Sequence, residues 1–178
     1  MIINKKYLAE FSPLPKNYNY DEVMLYVPVA EKIWLRPLVG DDLVDELQEQ
    51  VDNNNLSEEN STLLTEGGLW QYLCYATCYE ALPFITYHFS EVGATKGKSE
   101  NSDSIDLKEL SYIQNHLRAQ TEILKDQLKK WLCSHSGQFP LVDCCACGCD
   151  CCEDFGKLNK PNPYQQMYSP RQKCVDLK

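Results

Sequence analysis

Hydrophobic residues recur at helical spacing along most of the chain, and the first such stripe begins after Asp21. Its members lie three or four residues apart: Val23, Val27, Ala30 and Ile33/Trp34. This spacing predicts an amphipathic helix, and Asn19 and Asp21 are suited to cap its start. Pro28 lies inside the stripe, so the sequence predicts either a kink at this residue or a first helix that ends before it.

Two further helices are predicted before residue 67. The first of them begins at Asp41, after a proline and a glycine interrupt the pattern, and repeats an apolar residue every fourth position. The Asp and Asn run at 52–55 ends this helix, because short amide side chains compete for backbone hydrogen bonds. The next helix begins within 57–61 and is expected to break at the glycine pair 67–68.

The two longest helices are predicted at 69–88 and 106–132. Aromatic side chains surround the first one, which indicates a helix that is buried on more than one face. It is therefore expected to be the central helix of a core, or a helix shared with a neighbouring subunit. Pro83 should bend it unless the freed carbonyl finds another donor. The second helix has one leucine-rich stripe opposite a charged face, as expected of a helix with one solvated side.

These patterns predict a mainly α fold, a helical bundle of about four to five helices over residues 21–136. Residues 1–20 contain two prolines and are predicted to form an extended N-terminal arm. Residues 90–105 are predicted to form a flexible loop, either a solvated hairpin or a loop that a partner orders. Residues 137–178 form an irregular, Cys-rich C-terminal tail or strap, which a metal or a neighbouring chain is expected to order.

The composition narrows the classes of function. A net charge of −9 and an isoelectric point near 4.8 argue against a protein that wraps nucleic acid, because phosphate binding needs clustered Lys and Arg. An acidic surface suits a passage through which DNA slides without sticking, or simply a soluble protein. No apolar run reaches the roughly 20 residues of a bilayer span, and a signal peptide is not recognisable. In a reducing cytoplasm, the 10 cysteines are expected to be thiols or metal ligands.

Six of the cysteines lie within residues 144–152, where they form the two Cys-x-x-Cys steps Cys144/Cys147 and Cys149/Cys152. Four thiolates of this kind can complete a tetrahedral Zn²⁺ site. A single glycine separates the steps, whereas structural zinc sites normally have roughly a dozen residues between them. Structural zinc, disulfides and free thiols therefore stay open as alternatives, and no other cofactor is required. Further candidate ligands are Cys133, His135 and Cys174.

No constellation for catalysis is recognisable. His88, His116 and His135 lie on different elements, and the sequence contains no nucleophile elbow, P-loop or dinucleotide-binding glycine motif. Cys74 and Cys78 are one helical turn apart and are predicted to be buried core residues rather than half of a metal site. We therefore predict that the protein is not an enzyme.

Three runs of sequence are the most distinctive: IWLRPLVGDDL at 33–43, ALPF at 81–84 and GATKGKSENS at 93–102. With the order of the helices, they resemble the head–tail connector proteins of tailed bacteriophages, most closely the portal-proximal ring proteins of crAss-like Bacteroides phages. The resemblance implies a virion protein, assembled in the host cytoplasm, that forms a ring below the portal, commonly a dodecamer. It also implies a passage for DNA without specific binding, and a platform for further tail proteins.

A ring subunit needs two different contact patches, and interfaces favour aromatic side chains. We therefore predict contacts with neighbouring copies, the portal or other tail proteins at Trp70, Tyr79, Phe84, Tyr87, Lys96, Lys98, Tyr164 and Tyr168. The main alternative is a small zinc-binding adaptor or regulatory protein that works through residues 144–152. A thiol oxidoreductase that uses the Cys-x-x-Cys steps is a third, weaker interpretation.

Overall fold

The computed structural model describes residues 1–90, 93–96 and 107–142, and for 87–90, 93–96 and 107 it describes the backbone only. The predicted mainly α fold is confirmed. The elements of the described residues follow in this order: α1 (Lys5–Phe11), α2 (Tyr20–Met24), α3 (Val27–Ala30), a π-helical turn (Glu31–Leu35), α4 (Arg36–Val39), α5 (Asp41–Asp52), α6 (Glu58–Thr65), α7 (Leu69–Thr86), β1 (Tyr87–Ser90), β2 (Gly93–Lys96) and α8 (Leu107–Ser134).

Helix α7 is the centre of the fold. It packs against α1, α2, α3, the π-helical turn, α6 and α8, and nine of its 18 residues are buried. Because apolar side chains cover most of its circumference, a peripheral position would expose part of them. Of the two predicted arrangements, a central helix or a shared one, the structure therefore has the central helix. No helix of the described residues is both long and apolar enough to cross a membrane.

Residues 1–20 do not form the extended arm that two prolines suggested. Residues Lys5–Phe11 form α1, and Asn4 caps it through its Oδ1, which accepts the Tyr7 N–H at 3.1 Å. The two prolines lie between α1 and α2, so they interrupt neither helix. The prediction is wrong because three apolar residues of this segment have a core to enter: Ile2, Ile3 and Leu8 are fully buried.

A buried carboxylate holds the N-terminal residues against the bundle. Glu31 lies in the π-helical turn and is 5% exposed. Its Oε1 accepts the Ile2 N–H at 2.9 Å, and its Oε2 accepts a hydrogen from Gln48 Nε2 of α5 at 2.9 Å. Both oxygens therefore have a donor, as a buried polar group requires.

Two prolines explain the helical arrangement that precedes α5. Helix α2 ends at Met24, and Pro28 lies in the first turn of α3, where its missing N–H would have no partner anyway. Residues 27–39 then continue as helical backbone through the π-helical turn, in which the Arg36 N–H donates to the Glu31 carbonyl five residues back. Pro37, the next residue, has no N–H, so an α-helix would lack one backbone hydrogen bond at this position in any case. The change from the α-helical to the π-helical hydrogen-bond pattern falls at the same place.

Gly40 makes the sharp corner between α4 and α5. Its φ of 91° and ψ of 157° lie in a region that only glycine adopts readily. Arg36 spans the corner, donating from Nη1 to Asp41 Oδ1 at 2.9 Å and from Nη2 to Asp45 Oδ1 at 2.7 Å. These bonds raise the pKa of the Arg36 guanidinium and tie α4 to the first turns of α5.

A two-stranded hairpin follows α7. Strands β1 and β2 pair antiparallel, with Tyr87 opposite Lys96 and Ser90 opposite Gly93. The predicted loop 90–105 thus starts as a hairpin, and its later residues, 97–105, lie outside the described part. Beyond α8, Phe139 returns to the core, where its ring centroid lies 5.6 Å from that of Trp131.

Candidate interaction surfaces

Four exposed apolar side chains lie on the outside of α3, its flanking turns and the end of α7. Leu25, Val29 and Ile33 follow at intervals of four residues and are 73%, 39% and 54% exposed. Phe84 is 48% exposed, and its ring stacks on Tyr26 with the centroids 5.4 Å apart. We call Leu25, Val29, Ile33 and Phe84 the α3 surface. Single exposed apolar residues are ordinary, but a group of this kind indicates an interaction site.

The α3 surface has a well-packed base. The Trp34 ring meets Tyr79 edge-on at 5.5 Å, and its Nε1–H donates to Glu80 Oε1 at 2.8 Å. The Tyr72 hydroxyl donates to the Trp34 carbonyl at 3.0 Å. Burial raises the pKa of Tyr72, which keeps this hydroxyl protonated as a donor. These bonds fasten the π-helical turn to α7, so Ile33 is presented in a defined position before any partner binds.

Helix α8 carries a second exposed stripe. Its inner face is buried at Leu110, Leu117, Thr121, Leu128 and Leu132. The opposite face has seven exposed residues at helical spacing: Lys108, Tyr112, His116, Ala119, Ile123, Asp126 and Lys130. We call this stripe the α8 surface. Tyr112 is 75% and Ile123 50% exposed, although the outer face of a solvated helix is normally polar. Helices α3 and α8 both pack against α7, and the α3 and α8 surfaces have no residue in common.

Charge is distributed unevenly between the body of the protein and α8. Residues 1–86 contain 14 acidic and five basic side chains, a net charge of −9. Nine of these acidic residues lie in 41–66, which contains no Lys or Arg. Helix α8 has five basic and three acidic side chains, a net charge of +2. The α8 surface accordingly ends in a lysine on both sides.

Trp70 lies in the core of its own chain and not on a contact surface. It is 9% exposed, and its ring stacks on Tyr7 at 4.0 Å and lies 6.0 Å from Phe11. The prediction of a partner contact at Trp70 is therefore corrected. Helix α1, which the sequence did not reveal, supplies the aromatic contacts that were expected from another chain.

The other predicted contact residues have different positions. Tyr79 is half-buried against Trp34, and Phe84 belongs to the α3 surface. The backbones of Tyr87 and Lys96 face each other in the hairpin. The predictions for the remaining residues stay predictions, because these residues lie outside the described part of the chain: Lys98, Tyr164, Tyr168, Cys144, Cys147, Cys149 and Cys152.

Cys74 and Cys78 are buried core residues, as predicted. The Cys74 thiol donates to the Tyr7 carbonyl at 3.6 Å. Burial raises the pKa of Cys74, and it raises the pKa of Cys78 to about 12. Both thiols are therefore protonated at neutral pH, and neither is a reactive thiolate. In the ranges that the structure describes, no group of three or more His, Cys, Asp or Glu side chains could hold a metal ion.

Most of the two surfaces was missed by reasoning from the sequence. The helical spacing places Ile33 in the predicted buried stripe, although Ile33 also continues the four-residue repeat of Leu25 and Val29. Tyr112 and Ile123 lie between the leucines of α8, 11 residues or about three helical turns apart. The repeats were visible in the sequence. Spacing alone, however, does not tell which of two apolar stripes faces the core.

Comparison with known proteins gives a family but no activity. Residues 35–152, which are 118 of the 178 residues, match DUF6712, a family of unknown function. The matched region contains α4 to α8 and leaves out Leu25, Val29 and Ile33. No curated protein and no solved structure matches the chain.

Proposed function

We propose that this chain, which belongs to DUF6712, is a structural virion protein: a head–tail connector subunit that forms a ring below the portal of a tailed phage. The ring gives the genome a passage and supports further tail proteins, and its subunits catalyse no reaction. The first support for this proposal is the resemblance of residues 33–43, 81–84 and 93–102 to such connector proteins.

The observation that carries the proposal is the presence of two separate exposed apolar surfaces, one around α3 and one on α8. A subunit of a cyclic ring meets its two neighbours through two different patches. The α3 and α8 surfaces meet this requirement in number and in composition, because they consist of different residues. A protein that acted as a monomer would gain nothing from either of them, because each exposes large apolar side chains to water.

The α3 surface also coincides with the resembling runs. The first run contains Ile33, and the second contains Phe84. Both residues are about half exposed, and both are held by contacts within the chain, Ile33 through the π-helical turn and Phe84 through Tyr26. Two of the three runs that suggest a connector therefore contribute side chains to a candidate contact surface.

The charge of residues 41–66 supports a role beside DNA without binding it. Nine acidic and no basic side chains in this segment repel phosphates. A ring that presents such a segment to its passage lets the genome slide, whereas a basic lining would retain it.

The test is complex formation with the portal protein of the same phage. The two proteins are mixed, the mass of the complex is measured by light scattering after size exclusion, and zinc is counted in the same fractions. We expect an added mass that is an integral multiple of the 20.5 kDa subunit. A chain that ignores the portal and stays monomeric contradicts the proposal. Stoichiometric zinc in that monomer would instead favour an adaptor that works through residues 144–152.

A further inference from the structure

We infer that the α3 surface of one copy binds the α8 surface of the next copy, so that the copies join head to tail. This inference deepens the proposed function and takes from it the premise that copies of the chain assemble. It adds the identity of the two surfaces that meet, and it commits to a second copy of this chain as the occupant of each.

The apolar parts of the two surfaces match in length. Leu25 and Ile33 are eight residues apart, about 12 Å at helical rise. Tyr112 and Ile123 are 11 residues apart, about 16 Å. Ala119 lies between them on the same stripe, and its small side chain lets another helix approach closely there. The α8 surface can therefore cover the apolar length of the α3 surface.

Charge selects the pairing of unlike surfaces over that of like surfaces. The body that carries the α3 surface, residues 1–86, has a net charge of −9, whereas α8 has a net charge of +2. A contact between two α3 surfaces would bring two strongly acidic bodies together, and a contact between two α8 surfaces would pair two cationic helices. Only the mixed contact joins opposite net charges, which favours encounter as well as specificity.

The rims of the surfaces permit this pairing without selecting it. Glu22 lies one turn before Leu25, and Lys32 lies beside Ile33, both exposed. The α8 surface has Lys108 at one end and Asp126 with Lys130 at the other. Each rim therefore offers both signs of charge, so salt bridges can form around an apolar centre, as in most protein interfaces.

The test uses two variants that each disable one surface. Leu25→Asp with Ile33→Asp disables the α3 surface, and Tyr112→Asp with Ile123→Asp disables the α8 surface. All four residues are at least half exposed, so the fold should tolerate the change; circular dichroism and the urea midpoint check this. Sedimentation velocity then follows each variant alone, the two mixed at equal concentration, and the wild type.

We expect wild-type assemblies larger than a dimer, and an association constant at least about 100-fold lower for each variant alone. The mixture should form a heterodimer and nothing larger, because it contains one intact α8 surface and one intact α3 surface. The matched control, Asn55→Asp with Gln71→Asp, adds two charges at exposed positions outside both surfaces and should assemble like the wild type.

Three results would overturn the inference: an α8-surface variant that still dimerises alone, an assembly that neither variant weakens, and a mixture that gives no heterodimer. The first would indicate contacts between two α3 surfaces, and the last would assign the surfaces to another protein. Failure here is separable from failure of the proposed function. A wild type that binds the portal without the heterodimer refutes only the pairing, and a heterodimer without portal binding refutes only the connector role.

Discussion

Helices α7 and α8 pack side by side, but their surroundings differ. Helix α7 is enclosed on most sides, and its aromatic residue Trp70 contacts Tyr7 and Phe11 of the same chain. Helix α8 has 28 residues and packs mainly against α7, which leaves Tyr112 and Ile123 on its outer face. A high aromatic content therefore marks the helix that stabilises the fold. Tyr112 and Ile123, on the less aromatic helix, are better candidates for contacts with other chains.

This difference separates stability from assembly. Substitutions of buried residues in the body, residues 1–86, should lower the free energy of unfolding and leave the α3 and α8 surfaces intact in the molecules that stay folded. Substitutions of exposed residues on the α3 and α8 surfaces should weaken assembly and leave the free energy of unfolding nearly unchanged.

Trp70→Ala should lower the free energy of unfolding by about 3–5 kcal/mol, because it leaves a cavity between α7 and α1. Tyr112→Ala is the matched aromatic truncation on α8, and it should change stability by no more than about 0.5 kcal/mol. Urea unfolding followed by circular dichroism measures both. Equal losses of stability at the two positions would show that the aromatic side chains of α7 and of the outer face of α8 contribute equally to the fold.

Glu31→Ala should lower the free energy of unfolding by about 2–4 kcal/mol, because the Ile2 N–H and the Gln48 amide both lose their acceptor inside the protein. Glu31→Gln should cost less than about 1 kcal/mol, since its oxygen can accept from Ile2 and its NH2 can donate to a turned Gln48 amide. Hydrogen exchange at Ile2 provides the local readout: fast in the alanine variant and slow in the glutamine variant. If both variants protect Ile2 equally, Glu31 does not hold the N-terminal residues.

Gly40→Ala should cost about 1–3 kcal/mol, because its positive φ is unfavourable for any residue with a Cβ. The space around it is sufficient: the nearest atom to an added Cβ is the Leu141 carbonyl oxygen at 3.6 Å. Gly137→Ala is the control, since an added Cβ there meets nothing within 4 Å, and it should be nearly neutral. Thermal unfolding measures the stability of both variants. An equal loss of stability would show that the positive φ of Gly40 is not the reason for the effect.

The free energy of unfolding should fall at alkaline pH, because the buried thiols ionise more easily in the unfolded chain. The pKa of Cys78 is about 12 in the folded chain and about 8.5 when unfolded. The contribution of the Cys78 thiol to the free energy of unfolding is therefore complete below a pH of about 8.5. Above this pH it decreases by up to about 1.4 kcal/mol per pH unit. The urea midpoint is measured at pH values from about 7.5 to about 9.5, which bracket that threshold. It should fall less steeply with rising pH for Cys78→Ala than for the wild type. A slope that the variant leaves unchanged would mean that the thiol is not protected by burial.

Local signals in the sequence were enough for the middle of the fold. Asp41 begins α5, the Asp and Asn run at 52–55 ends it, and α7 begins after the glycine pair 67–68, as predicted. Each of these boundaries depends on residues within one turn of it, through dipoles, amide competition or backbone freedom.

Features that depend on distant residues were not predictable in the same way. Helix α1 escaped notice because Ile2, Ile3 and Leu8 are recognisable as core residues only once α7 is in place. For the same reason the sequence predicts a contact with another chain at Trp70, which is in fact buried. The sequence does not tell which of the two apolar repeats around α3 faces the core, because burial depends on what packs against each of them. On α8, the regular leucines make only the buried stripe easy to recognise.

The central claim is that a self-sufficient helical body closes into a ring through surfaces that its own fold does not need. Native mass spectrometry of the wild-type chain, alone and with the portal protein that we propose as its partner, tests this most directly. The account predicts one closed assembly with a fixed number of 20.5 kDa subunits. A monomer at every concentration, with and without the portal, would contradict it.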